Sequence, residues 1–257
     1  MSEQELTDEE LLRYSRHILL PEWDLAGQNR ILSRRVLVVG CGGLGSVASL
    51  FLASSGVGNI IIADGDVVDL SNLQRQVGFE TGQLGQNKAI ALKKRLEAIN
   101  PLIQVTALPH YLGASELEQW VRQVDVVLDC SDRFAIRYLV NRTCWNMGVP
   151  LLSGAAIRME GQLLCVDANV PDSSCYHCVF PEQQPEVDEP CALMGVLAPV
   201  VGVVGSLQAV EALKILSGIQ AHAIVNRLWL WEARQNHWRE IVLLKDPNCL
   251  VCGTDVH

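Results

Sequence analysis

The chain has 257 residues, and its 20 lysines and arginines against 29 aspartates and glutamates give a formal net charge of −9. Such an acidic balance argues against nucleic acid as a partner. Hydrophobic residues make up 49% and charged residues 19%, which is enough apolar side chain for a large core and excludes a disordered or collagen-like chain. The first ten residues, Met1 to Glu10, have no basic start and no apolar run, so no secretory leader is expected and a reducing cytoplasm is the expected location. Nine cysteines are an odd number that cannot all pair. In that compartment, clustered cysteines hold metal or do chemistry more often than they form disulfides.

In chain order, Thr7-Asp8-Glu9-Glu10 ahead of Leu11, Leu12 and Tyr14 predicts a capping box that opens a short helix carrying Arg13 and Arg16. A loop with Pro21 and Gly27 follows. Val36-Leu37-Val38-Val39 reads as a fully buried strand, Leu44 to Ser55 as a helix, and Ile60-Ile61-Ile62-Ala63 as a second buried strand. Together they make one βαβ unit. The alternation continues with a helix from Lys88 to Ile99, a strand from Gln104 to Leu108, a helix from Glu116 to Gln123 and a buried strand from Val126 to Cys130.

After Pro150 the pattern changes. Leu151–Ala156, Gln162–Val166, Arg227–Ala233 and Trp238–Leu244 alternate as antiparallel strands do, interrupted by an apolar helix around Val200 to Leu216. The stretch from Pro171 to Pro190 reads as a crossover loop. Ala192 to Val210 has no charge over nineteen residues, but its glycines and Pro199 point to a core or interface segment and not to a membrane span. The expected fold is α/β, a Rossmann-like doubly wound mixed sheet with a parallel N-terminal half and an antiparallel C-terminal extension. It forms one domain: a helical arm (1–30), a nucleotide-binding half (34–150) and a second half (151–257).

Gly40-Cys41-Gly42-Gly43-Leu44-Gly45 fits the G-x-G-x-x-G pattern between a buried strand and a helix start, where phosphate can approach backbone amides. Asp64 ends the next strand nineteen residues after Gly45, placed to accept from ribose hydroxyls. By itself the pair says only that a nucleotide binds, and an NAD-dependent dehydrogenase would explain it. The run Asp64 to Gln76, with Arg75, then Lys88 and Asp132, brings cations and acceptors to the carboxyl ends of neighbouring strands. Triphosphate chemistry needs such groups; a dinucleotide enzyme has no evident use for them. Each alone has a plainer explanation: solvated charge for Arg75 and Lys88, a helix cap for Asp132.

Cys175-x-x-Cys178 and Cys249-x-x-Cys252 are two pairs with the spacing of a closed four-thiolate zinc site. With every position filled by sulfur, such a zinc is structural. Cys41, Cys130, Cys144 and Cys165 fall in apolar segments and read as small core residues. A catalytically silent zinc scaffold would explain the cysteines but nothing in the first half.

Arg13 to Leu20, the Gly40–Gly45 turn, Leu70 to Gln76, Ser153 to Gln162 and Gly205 to Ala209 together resemble the MoeB/ThiF family of ubiquitin-activating-enzyme-like adenylyltransferases, over nearly the whole chain. The resemblance implies ATP-dependent adenylation of the C-terminal glycine carboxylate of a small ubiquitin-like sulfur-carrier protein. Ser153 to Gln162 favours the molybdopterin branch over the thiamine branch. The resemblance implies contacts to ATP by Gly43, Asp64, Ser71, Asn72, Leu73, Gln74, Arg75, Lys88, Asp132 and Arg133, with Asp132 positioning Mg²⁺. It implies a homodimer in which Arg16 reaches the neighbouring subunit's site. It also places at Cys191 a thiol able to bond to the carrier or to a sulfur donor, although acidic neighbours would raise its pKa. Where the family commonly has Asp-Asn, this chain has Asp132-Arg133.

Overall fold

The computed structural model describes residues 5–182, 195–219 and 224–253. The first helix forms as its cap predicts. Glu10 N donates to the Thr7 hydroxyl (3.3 Å), and Thr7 N donates back to the Glu10 carboxylate (2.8 Å). These bonds satisfy two otherwise orphaned amides at the start of α1 (Asp8–Ile18). The predicted loop around Gly27 is instead a helix, α2 (Asp24–Leu32). Tertiary contacts impose it: Trp23 Nε1 donates to Gln28 Oε1 (3.1 Å), and the fully buried Gln28 donates to the Ser55 carbonyl (3.0 Å).

The wholly apolar runs become the central strands. These are β1 (Arg35–Val39), β2 (Asn59–Ala63) and β4 (Val126–Asp129), with β3 (Gln104–Leu108) outermost and β5 (Leu151–Ile157) on the other side. Helices α3 (Gly43–Ser55), α4 (Lys88–Ile99), α5 (Ala114–Val121) and α6 (Phe134–Met147) connect them. The rest of the sheet is β6 (Glu160–Val166), β7 (Arg227–Glu232) and β8 (His237–Val242). The strand order is β3-β2-β1-β4-β5-β6-β7-β8. Pairing is parallel from β3 to β5 and antiparallel from β5 to β8.

The mixed sheet matches the expected fold class, with one correction. The strand from Leu151, expected to be antiparallel, pairs in parallel with β4 through Val127–Leu151 to Asp129–Ser153 and is antiparallel only to β6. It is the hinge between the two halves. The helix expected at Glu116–Gln123 starts and stops two residues earlier. The crossover stretch contains a one-turn helix, α7 (Tyr176–Val179); its residues 183–190 lie outside the described ones.

Alternate residues of the strands feed two cores. Val36, Val38, Ile60 and Ile62 meet α3, α4 and the long helix α8 (Ala198–Ser217), while Leu37, Val39, Ile61 and Val127 meet α5 and α6. Helix α8 is long and apolar enough to cross a membrane, yet more than half of its apolar window is buried in this core, the interior use its glycines predicted. From α8 the fully buried Gln208 donates both amide hydrogens, to the carbonyls of Asp129 and Leu152 (3.0 Å each), and its Oε1 accepts from the Cys130 thiol (3.3 Å). One side chain thus ties together the ends of β4 and β5. Gln208→Leu keeps the volume but leaves two buried carbonyls unpaired, a cost of about 2 kcal/mol or more. The urea midpoint should fall while the denaturant slope stays unchanged.

Candidate nucleotide and metal sites

Strands β1 and β4 are neighbours, but the helices that follow them pack on opposite faces of the sheet. A crevice therefore opens beyond their carboxyl ends. The glycine turn forms its floor. Gly40 takes φ +93°, and a β-carbon there would lie 2.8 Å from the Cys130 carbonyl; one on Gly45 would lie 1.9 Å from the Gly40 carbonyl. Only glycine meets both demands. Asp64, 7% exposed at the end of β2, holds the turn from the side: Oδ2 accepts from Cys41 N (2.7 Å) and Oδ1 from Asp66 N (2.8 Å). Burial raises its pKa above the ordinary carboxylate value, against the pull of these amides.

Beside this turn is a cavity of about 100 Å³ bordered by Val39, Asp64, Tyr111, Leu112, Ile136 and Asp132. Its apolar wall and single buried carboxylate suit a nucleoside. Arg133 stands at the rim, with its guanidinium 4.8 Å from the centre of the Tyr111 ring. Lys88, only 5% exposed at the start of α4, lines none of the described cavities; its ammonium is 3.0 Å from the Asp66 carboxylate, which does.

A second hollow, of about 520 Å³, lies at the start of α3, bordered by Gly43, Ser71, Asn72, Gln74, Arg75 and Asp132 among others. Arg75 is preset: Nη2 donates to Asn72 Oδ1 (2.8 Å) and Nη1 to the Ser71 carbonyl (3.2 Å). Leu73, between them, packs against the main core. A third cavity, of about 270 Å³, runs along the antiparallel strands past Ala156, Gln162, Tyr176, Leu230 and Trp231. Asp132 borders all three. Its carboxylate has no hydrogen-bond or ion-pair partner among the described residues. It does not cap α6, whose N-cap is Arg133 with no side-chain cap bond.

A buried network that the sequence reading missed fixes the loop carrying Asp132. Asp129, 1% exposed, accepts from Ser131 N (3.1 Å), Ser131 Oγ (2.6 Å) and Ser153 Oγ (2.8 Å), with Arg137 Nη1 at 3.6 Å. Arg137 also donates to the carbonyls of Gly154 (3.0 Å) and Ser131. An acid closing a wholly apolar strand is a signal that could have been followed, since a buried carboxylate requires a partner. Tyr111 gave no comparable signal.

The two cysteine pairs meet as their spacing predicts. The sulfurs of Cys175, Cys178, Cys249 and Cys252 all lie within 4.8 Å of one another, close to the roughly 3.8 Å edge of a tetrahedral zinc–thiolate site. The Cys175 and Cys178 sulfurs are 4.0 Å apart, and their interaction brings the Cys178 thiol down to about 4 and pushes Cys175 up; burial holds Cys252 up, at about 12. His177 accepts from Glu182 N at Nε2 (3.4 Å), which leaves Nδ1–H to donate to the Cys249 sulfur at 3.5 Å. Such an outer hydrogen bond orients a metal ligand. Cys41, Cys130, Cys144 and Cys165 are buried, and burial raises their thiol pKa. Cys191 lies outside the described residues.

Arg16 is exposed and has no partner among the described residues. Its helix docks where α3 and α4 end. Arg13 donates to the Ile99 carbonyl (3.1 Å), and Asn100 donates to both Tyr14 (2.9 Å) and the Ala53 carbonyl (2.8 Å). That is the end of the sheet from which the parallel strands start, opposite the crevice, so Arg16 stands apart from the other candidate residues of its own chain.

The sequence model of the ThiF family matches residues 14–251. The chain is 43% identical over 252 residues to the molybdopterin-synthase adenylyltransferase of Escherichia coli K12, covering 97% of this chain and 99% of that one. It is 42% identical over 248 residues to the sulfur carrier protein ThiS adenylyltransferase of the same organism, covering 96% and 97%. Among solved structures, E. coli MccB with ATP superposes with a TM-score of 0.81 at 25% identity, over 94% of this chain and 73% of the other. With the family's sequence pattern spanning nearly the whole chain and two relatives matched end to end, the chain belongs to the ThiF family.

Proposed function

We propose that the protein adenylates the C-terminal glycine carboxylate of a small ubiquitin-like sulfur-carrier protein, the carrier being of the molybdopterin-synthase type. The ThiS type is the second reading, because the two relatives are 43% and 42% identical to this chain. The observation that carries the reaction is the position of Asp132, where the cavity beside the glycine turn, the hollow at the start of α3 and a groove from the antiparallel face converge. A nucleoside triphosphate and an extended peptide tail can meet there. A hydride-transfer enzyme would leave the preset Arg75 and Asn72 without a task.

In this reading Asp64 accepts from the ribose, and the glycine-turn amides with Gly43, Ser71, Asn72, Gln74, Arg75 and Lys88 receive the phosphates. Leu73 supports that run from the core side. A carboxylate oxygen of the tail attacks the α-phosphorus, the bond to the β-phosphate breaks, and pyrophosphate leaves with the electron pair. No proton needs to be removed, because the attacking carboxyl is ionised at neutral pH. The barrier is therefore chiefly the meeting of two anions, which fixed cations in a water-poor crevice lower. The Asp132 carboxylate, unpartnered among the described residues, suits a hard divalent cation; Mg²⁺ held there would supply charge neutralisation on the phosphates. The four thiols hold Zn²⁺, which staples the chain after β6 to the C-terminal segment.

Arg16, at the far end of its own sheet, serves the site of a second copy in a homodimer. Arg75→Ala and Arg16→Ala should each abolish carrier-dependent ATP–pyrophosphate exchange. Mixing the two variants under subunit exchange should restore about a quarter of wild-type activity, because half the dimers then hold one intact site. Arg16 acting within its own subunit would give no recovery.

Asp64 should trade stability for binding. Its raised pKa means that the folded state buries a charge at a cost that is absent below the ordinary carboxylate value, about 4, and fully felt above its folded pKa. Asp64→Asn should therefore gain stability relative to wild type as pH rises from 4 to 7 in paired urea titrations, while losing ATP binding. Zinc analysis of purified protein should find one equivalent per chain, and Cys249→Ser should lower both that content and the unfolding temperature.

A further inference from the structure

Lys88 enters this chemistry from an unexpected position. Its buried ammonium is already occupied, 3.0 Å from Asp66 Oδ2, and Asp66 stands between it and the nucleoside cavity. The other oxygen of Asp66 accepts from the Tyr111 hydroxyl. Tyr111 is in turn fixed from two sides. Its ring lies so close to Gly65 that a β-carbon there would come within 2.7 Å of it. The Arg133 guanidinium sits 4.8 Å from the ring centre, with Nη2 donating to the Tyr111 oxygen at 3.4 Å. Lys88, Asp66, Tyr111 and Arg133 thus form one chain of contacts from the buried cation to the cavity rim. The groups facing Asp66 are Lys88, Tyr111 and Arg133, with Asp64 beyond its backbone amide.

A phosphate seeking Lys88 must therefore replace a resident carboxylate. Two anions cannot share one ammonium cheaply, and a half-exposed carboxylate left without a partner beside the arriving phosphate would oppose binding by charge repulsion. Tyr111 supplies that partner in advance. We infer that Asp66 is a built-in competitor for the phosphate-binding lysine, and that Tyr111, backed by Arg133, is the positioning residue that takes over the Asp66 carboxylate when nucleotide binds. The inference rests on the proposed role of Lys88 in gripping phosphate. It makes Tyr111 and Arg133 determinants of ATP affinity and not of the chemical step: they bear on an ion pair that opens on binding, and the reacting atoms meet at Asp132.

The test compares ATP dissociation constants by calorimetry, and KM against kcat in pyrophosphate exchange, for wild type, Tyr111→Phe, Asp66→Asn and the double variant. Phenylalanine keeps the ring over Gly65 and removes only the hydroxyl. Tyr111→Phe should raise Kd and KM for ATP at least about tenfold, the lower end for one hydrogen bond to a charged group, with kcat unchanged. Asp66→Asn should bind ATP at least as well as wild type, and adding it to Tyr111→Phe should restore the affinity. Unchanged affinity in Tyr111→Phe would overturn the inference. So would a double variant as weak as Tyr111→Phe, because the hydroxyl would then touch the nucleotide itself. ATP binding by wild type that Lys88→Ala leaves intact would overturn it by removing the lysine's role. A wild-type protein that binds no ATP would overturn it together with the adenylation reading.

Discussion

Where β1 and β4 end, the backbone of Gly40 passes the Cys130 carbonyl at a distance that leaves no room for a side chain, and Gly45 packs against the Gly40 carbonyl even more tightly. This close approach brings two strand exits together and turns the start of α3 toward the crevice between them. It is held from below by Gln208, which binds the carbonyls of Asp129 and Leu152, and from the side by Asp64, which accepts from the turn's own amide. Moving either strand end by an ångström would shift the glycine turn relative to Asp132, and positioning errors of that size are costly in catalysis.

Charge follows the same logic. In a chain of net charge −9, the cations near the crevice are not left to solvent. Arg75 rests on Asn72 and Ser71, Arg137 on Asp129, and Lys88 on Asp66. Each is oriented before a ligand arrives, so little reorganisation remains for the moment of reaction. The arrangement has costs. Asp64 is buried with a raised pKa, and Lys88 carries a competing carboxylate. Such costs are usual where a fold keeps a site ready for a charged ligand.

Much of this was legible in the sequence because the relevant signals are local. Four apolar residues, three of them β-branched, running into a glycine read as a strand buried on both faces, and Thr7 to Glu10 carries its own cap. The two Cys-x-x-Cys pairs needed only to be brought together, and the fold does so. What was not legible depends on tertiary contacts. Helix α2 exists because Gln28 bridges Trp23 and Ser55. The dual pairing of β5 depends on which neighbour lies on each side, information that its alternating pattern does not contain. Tyr111 gains its place from Gly65 and Asp66, some 45 residues earlier. The isolation of Arg16 from the crevice emerges only once α1 is seen docked at the opposite end of the sheet.

Asp132, at the junction of three cavities, is where the proposed carboxylate and α-phosphate meet, and the product formed there can be weighed. The protein would be incubated with ATP, Mg²⁺ and a purified sulfur carrier ending in glycine, and the carrier's intact mass followed with time. Activation at this site adds one AMP moiety to the carrier and releases pyrophosphate in equal amount, and a carrier lacking the terminal glycine stays unmodified. A glycine-ended carrier whose mass is unchanged while ATP is bound, or AMP found on a truncated carrier, would contradict adenylation of the terminal carboxylate.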